Sequence, residues 1–144
     1  MTNADNQALT AALSAEYAAV YAYGVITAYA NPERLKLVSE YAAAHRARRD
    51  ATIDLLESRN AAAPAPEAAY QPPFVVNDPI PAAKLAVAVE TDAANAWRSV
   101  VERADSPDIR LTGIEALTES ALRLANWQAI LGTDPVTVAF PGQP

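Results

Sequence analysis

The sequence has no cysteine, so it holds neither a disulfide framework nor a thiolate metal site. It has one histidine, His45, which excludes any centre that needs two imidazoles. Glycine is scarce, at 4 residues of 144, and there is no Gly-rich phosphate loop, no Ser/His/Asp arrangement and no nucleophile candidate. No run approaches the roughly 20 apolar residues of a membrane span. The N-terminal MTNADNQALTAAL lacks the basic region and apolar run of a signal peptide. Positive charge is also short. The net charge of −6 disfavours nucleic acid and anionic membranes, so neither is expected as a partner and a cytoplasmic location is expected.

What is present is apolar content of 51%, with alanine its largest share, together with 11 prolines that fall between the alanine-rich segments and at the C-terminal end. Alanine is the best helix former, and proline punctuates helices, so the composition predicts an all-α fold. The pattern predicts one domain, 1–144, with helices over about 5–30, 33–59, 81–104 and 107–131. Asn3 or Asp5 is the expected cap of the first helix, and Asn31-Pro32 ends it. Pro32 and Glu33 suit the start of the second. Pro64, Pro66, Pro72, Pro73, Pro79 and Pro81 forbid a regular helix, which makes 60–80 an extended connection. Gly132 suits the C-terminal cap of the fourth helix. An extended tail, 132–144, is expected to fold Phe140 back onto the helices. Tight connections make two antiparallel hairpins, and the long one is a crossover.

Helical periodicity assigns each helix an inward stripe. The first buries Leu9, Leu13, Tyr17, Val20, Gly24 and Thr27, with Glu16 among them. The second buries Leu35, Val38, Ala42, Ile53 and Leu56, with His45 and Arg49. The third buries Ala82, Ala86, Val89, Ala93, Trp97 and Val100 around Glu90. The fourth buries Ile114, Leu117, Ala121, Leu124, Ala125 and Gln128, and leaves Glu115 and Glu119 on its flank. Buried charges are expensive unless they meet a partner or a metal. Glu16, His45 with Arg49, and Glu90 stand at matching heights and are therefore expected to meet.

The stretches AEYAAVYAYGV, AAHRARRD, AAYQPPFVV, ALRLANWQAILG and AFPG resemble the ferritin-like superfamily. Within it they are most similar to an alanine-rich ferritin-like domain of unknown function from high-GC bacteria. The resemblance implies a ferritin-like four-helix bundle, two antiparallel hairpins joined by the long crossover. Di-iron members of that superfamily carry Glu on the first and third helices and Glu-x-x-His on the second and fourth. By this resemblance Glu16, His45 and Glu90 match metal ligands, with Glu119 in reserve. Ala42 stands at the second helix's Glu position, and Leu122 and Thr118 stand at the histidine positions after Glu119 and Glu115. A dinuclear site is excluded by the missing carboxylates and second imidazole; one Fe, Mn or Zn ion on Glu16, His45 and Glu90 is the rival.

Arg49, one turn after His45, would supply a metal's charge and pair with Glu16 or Glu90. The preferred expectation is a buried polar network of Glu16, His45, Arg49 and Glu90, with no cofactor. On that reading the bundle is a non-catalytic binding or interaction module with a degenerate metal centre, expected to form a homodimer. The rivals are the mononuclear metalloprotein, with redox or metal-handling activity, and a small-molecule bundle with a pocket lined by Tyr17, Trp97 and the polar cluster. Tyr17, Tyr21, Tyr23 and Tyr29 read as core and interface residues, with Tyr21 facing a partner subunit. Trp97 reads as core, and Trp127 as covering the tail or a partner subunit.

Overall fold

The computed structural model describes residues 3–144. Among them are four α-helices and no strand: α1 (Asn3–Tyr29), α2 (Leu35–Glu57), α3 (Pro79–Arg103) and α4 (Pro107–Leu131). α1 packs on α2 and on α3, and α3 packs on α4. This is a four-helix bundle in which two hairpins are joined by the extended 58–78 segment.

The helix ends follow local chemistry. A single 3-10 turn, Pro32–Arg34, breaks α1 from α2, and the Asn31 side chain accepts the Glu33 N–H at 3.0 Å. α3 starts two residues earlier than expected, because Asp78 accepts the Ile80 N–H and Pro79 takes the first turn, where a missing N–H costs nothing. Gly132 ends α4 in the left-handed conformation, φ +75°, as a C-cap glycine does. Asp5 lies within the first turn of α1, and the residues before Asn3 lie outside those described. It is buried inside α1, and its carboxylate accepts the Asp105 N–H at 2.8 Å and the Ser106 hydroxyl at 2.6 Å. It thereby holds the α3–α4 turn against the far end of the chain.

Two apolar clusters fill the interior. One gathers Leu9, Leu13, Leu56, Trp97, Val100 and Ile109; the other gathers Tyr23, Ile26, Val38, Leu85, Val89 and Trp127. The inward charged residues lie in the sequence gaps between these sets, so a polar layer separates two apolar ones.

The stripes differ from expectation in α1 and α4. In α1 the buried row runs Glu16, Ala19, Tyr23, Ile26, while Gly24 and Thr27 are exposed. In α2, Leu35 lies at the surface. In α4 Leu124 is buried as expected, but the rest of the inward row is Ile109, Gly113, Ala116, Ser120, Arg123 and Trp127, one step away from the other apolar residues expected there. The reason is packing distance. A Cβ at Gly113 would lie 3.0 Å from Val100 Cγ1 and Val101 Cγ2, so α4 approaches α3 through its small residues. Trp127 is consequently core, 1% exposed, rather than a cover for the tail. Ile114, Leu111 and Leu122 are left outside, at 46%, 55% and 64% exposure.

Phe140 does not fold back and is 65% exposed. The tail docks through its backbone instead. Arg98 donates to the Pro141 carbonyl at 3.3 Å, and Gly142, at φ +79°, lies where a Cβ would sit 2.6 Å from the Ala94 carbonyl oxygen and from Arg98 Cβ. By length and hydropathy α1 meets the requirement for crossing a membrane, contrary to the sequence reading, because alanine counts toward hydropathy. Here it forms a wall of the bundle, with Leu9, Leu13 and Ile26 facing inward beside Glu16.

Candidate functional site: a closed polar layer

Each helix contributes to one layer at the bundle's centre: Glu16 and Tyr23 from α1, His45 from α2, Glu90 and Trp97 from α3, and Ser120, Arg123 and Trp127 from α4. Glu16, His45 and Glu90 are wholly buried. The imidazole lies between the two carboxylates, with Nδ1 at 2.6 Å from Glu16 Oε2 and Nε2 at 2.9 Å from Glu90 Oε2.

Both carboxylates have further partners. Glu16 Oε1 accepts the Trp97 indole N–H at 2.8 Å. Glu90 Oε2 accepts the Tyr23 hydroxyl at 2.6 Å, and the Arg123 guanidinium Nε–H lies 3.1 Å from both Glu90 oxygens. Arg123 also donates to Ser120 Oγ at 3.2 Å, and Trp127 donates to the Tyr23 oxygen at 3.0 Å. The result is one unbroken chain, Trp97–Glu16–His45–Glu90–Tyr23–Trp127, with Arg123 attached at Glu90.

The electrostatics follow from these contacts. Burial by itself lowers the His45 pKa. The hydrogen bonds to Glu16 and Glu90, and their charges, outweigh it and raise it from 6.5 to about 9. His45 is then an imidazolium at neutral pH and donates from both nitrogens. Burial pushes the Glu90 carboxyl up, and the hydrogen bond and charge of His45, with Arg123, more than reverse that and hold it below its usual range. The Tyr23 hydroxyl is pushed well above its ordinary value by burial and by the Glu90 charge. Two carboxylates face one imidazolium and one guanidinium, so the layer is formally neutral. Neutrality and full hydrogen bonding are the conditions under which buried charges are tolerated.

The expected residues divide cleanly. Glu16, His45 and Glu90 are brought together. Arg49 is not with them: it lies near the surface and its Nε donates to Asp50 at 2.8 Å. A step of one turn from His45 carries it away from the layer toward the outer end of α2. Its place is taken by Arg123, from a helix whose inward face is shifted. Glu119 is half exposed and pairs with Arg48 at 2.9 Å, bridging α2 to α4 at the rim. Tyr41 and Asn126 bridge the same two helices at 2.5 Å.

Tyr21 packs against Tyr70 of the crossover in a tilted pair, with ring centroids 5.5 Å apart, and is 40% exposed. Trp97 fills the core, and Tyr17 donates to the Pro64 carbonyl at 2.8 Å and lines a cleft with Tyr21, Arg49 and Tyr70 at the bundle surface, away from Trp97. Sequence reasoning missed Arg123 and the network roles of Tyr23 and Trp127. The available signal was their common spacing with small residues, Gly113, Ala116, Ser120, Arg123, Trp127, at alternating steps of four and three.

The residues do not fit a metal in this arrangement. The two carboxylates lie on opposite sides of the ring, one at each nitrogen, so they cannot share an ion with a single imidazole nitrogen. Among the described residues no group of three or more His, Asp or Glu is arranged to hold a metal ion. Arg123 brings a fixed positive charge onto Glu90, where an ion would otherwise be attracted.

Fold and site together define an all-α four-helix bundle closed around a neutral ion-pair layer. The chain belongs to the family described as Domain of unknown function (DUF4439), matched over residues 8–144. It is similar to a conserved hypothetical protein of Mycobacterium tuberculosis known from a crystal structure. The TM-score is 0.87 at 45% sequence identity, covering 96% of this chain and 97% of that one. None of the curated proteins compared matches the sequence.

Proposed function

We propose that this protein is a ferritin-like bundle in which an ion-pair layer replaces the metal centre, and that it serves as a non-catalytic interaction module that self-associates. The observation that carries the reading is the engagement of both nitrogens of the only histidine by buried carboxylates. It leaves no imidazole lone pair for a metal. The ferritin-like assignment is supported by the connectivity of two hairpins and a long crossover.

Self-association is supported by the outer face of α4. Leu111, Ile114 and Leu122 recur at helical spacing along it, and Val138 of the tail is also exposed. A two-fold contact brings the same row against itself, so it needs no differently shaped partner.

Sedimentation velocity at micromolar concentration tests the association. A dimer is expected, reduced to monomer by Leu122→Glu with unchanged helical circular dichroism. A monomeric wild type would remove the association. Elemental mass spectrometry after loading with Fe, Mn and Zn tests the centre. One metal per chain, lost in His45→Ala, would overturn the ion-pair reading.

A further inference from the structure

The crossover forms a second feature, against α1 and α3. Tyr70 and the following residues lie over α1 and α3, and the Tyr70 ring is fixed at two points. It stacks on Tyr21 at an interplanar angle of 56°, and its oxygen accepts the Glu67 N–H at 3.0 Å. Under this segment is a cleft of about 170 Å³, walled by Tyr21, Tyr70, Pro72, Pro73, Leu85 and Val89. One charged side chain lines it, Asp92.

Asp92 makes no side-chain hydrogen bond or ion pair among the described residues; it stands exposed at the mouth of the cleft, where partial desolvation raises its carboxyl pKa. The layer at the bundle's centre compensates each of its carboxylates; Asp92 has no counter-charge among the described residues and meets water at the cleft's mouth. A lone carboxylate at the edge of an aromatic and proline-lined cleft selects by sign. An anion is repelled. A neutral apolar molecule leaves the carboxylate partly desolvated without a counter-charge. A cation on a short apolar stem satisfies both parts, with its charge against Asp92 and over the tyrosine faces and its stem on the prolines and Val89.

We infer that the cleft between α1, α3 and the crossover binds an organic ammonium ion on a short apolar stem. Asp92 supplies the counter-charge, and the Tyr21–Tyr70 pair supplies the aromatic wall. The site is independent of the ion-pair layer and of the α4 face, and it makes the crossover a wall of a binding site as well as a connection.

The experiment is a nuclear magnetic resonance titration of the full chain with n-butylammonium, with 1-butanol and butyrate as matched neutral and anionic probes. Saturable shifts are expected for n-butylammonium at millimolar concentration, confined to the amides of Tyr21, Tyr70, Gln71 and Asp92. Asp92→Asn is expected to weaken binding by about tenfold, the loss of one compensated charge. Tyr21→Ala is expected to weaken it as well. Asp92 and Tyr21 are both partly exposed, so folding of the variants is checked by their unchanged spectra elsewhere. Absence of saturable shifts, equal binding of 1-butanol, or undiminished binding in Asp92→Asn would each overturn the assignment.

Discussion

At the scale of single residues, the contrast between Arg123 and Arg49 is the sharpest. Both are arginines within reach of a carboxylate, but Arg123 is 9% exposed and holds wholly buried Glu90, whereas Arg49 is 27% exposed and holds exposed Asp50. Removing one partner of a buried pair strands the other charge in a medium that solvates it poorly, which typically costs about 3–5 kcal/mol. A surface pair is screened by water and loses little. Arg123→Ala is therefore expected to lower stability by about 3–5 kcal/mol, and Arg49→Ala by less than about 1 kcal/mol, in urea unfolding. Equal losses would mean that Arg123 does not carry the charge balance of the layer.

At the scale of helices and connections, legibility depended on whether apolarity and burial coincided. In α3 they did: Ala82, Ala86, Val89, Glu90, Ala93, Trp97 and Val100 all face inward as the periodicity requires. In α4 they did not, because close approach to α3 selects Gly113, Ala116 and Ser120, and the larger aliphatics are displaced outward. Three of the four charged members of the layer, Glu16, His45 and Glu90, were readable as charges inside apolar stripes. Arg123 was not, since its own stripe is built of small and polar residues that hydropathy does not mark. Asp5 shows a related limit: a carboxylate near a helix start looks like a local cap, and only the fold shows that it also serves a turn at the other end of the chain. Asp5→Ala is expected to cost about 1–2 kcal/mol, the usual loss of a capping acceptor, and to raise amide exchange at Asp105 and Ser106 first. Unchanged exchange there would show that the turn holds without it.

For the whole molecule, the layer sets how stability depends on pH. The His45 pKa is raised from 6.5 to about 9 on folding, so the folded chain keeps a proton that the unfolded chain releases. That contribution is complete below about pH 6.5 and is lost as pH rises through about 9; it amounts to about 3 kcal/mol. Glu90 acts in the opposite direction: its lowered pKa gives stability that is present above the ordinary glutamate range and lost as pH falls through the folded value. Tyr23, raised well above 10, adds to the alkaline loss once the unfolded chain begins to ionise its tyrosine. Surface carboxylates produce no such alkaline slope, and there is no second histidine to produce it between 6.5 and 9. The urea midpoint is thus expected to be highest at mildly acidic to neutral pH and to fall steadily between pH 7 and 9. In His45→Gln the protein is expected to be less stable throughout, with the slope across that interval gone. A wild-type profile flat from pH 7 to 9 would mean that the imidazole is neutral in the folded state. One of its nitrogens would then have a lone pair available after all, and the case against a metal at this layer would fail with it.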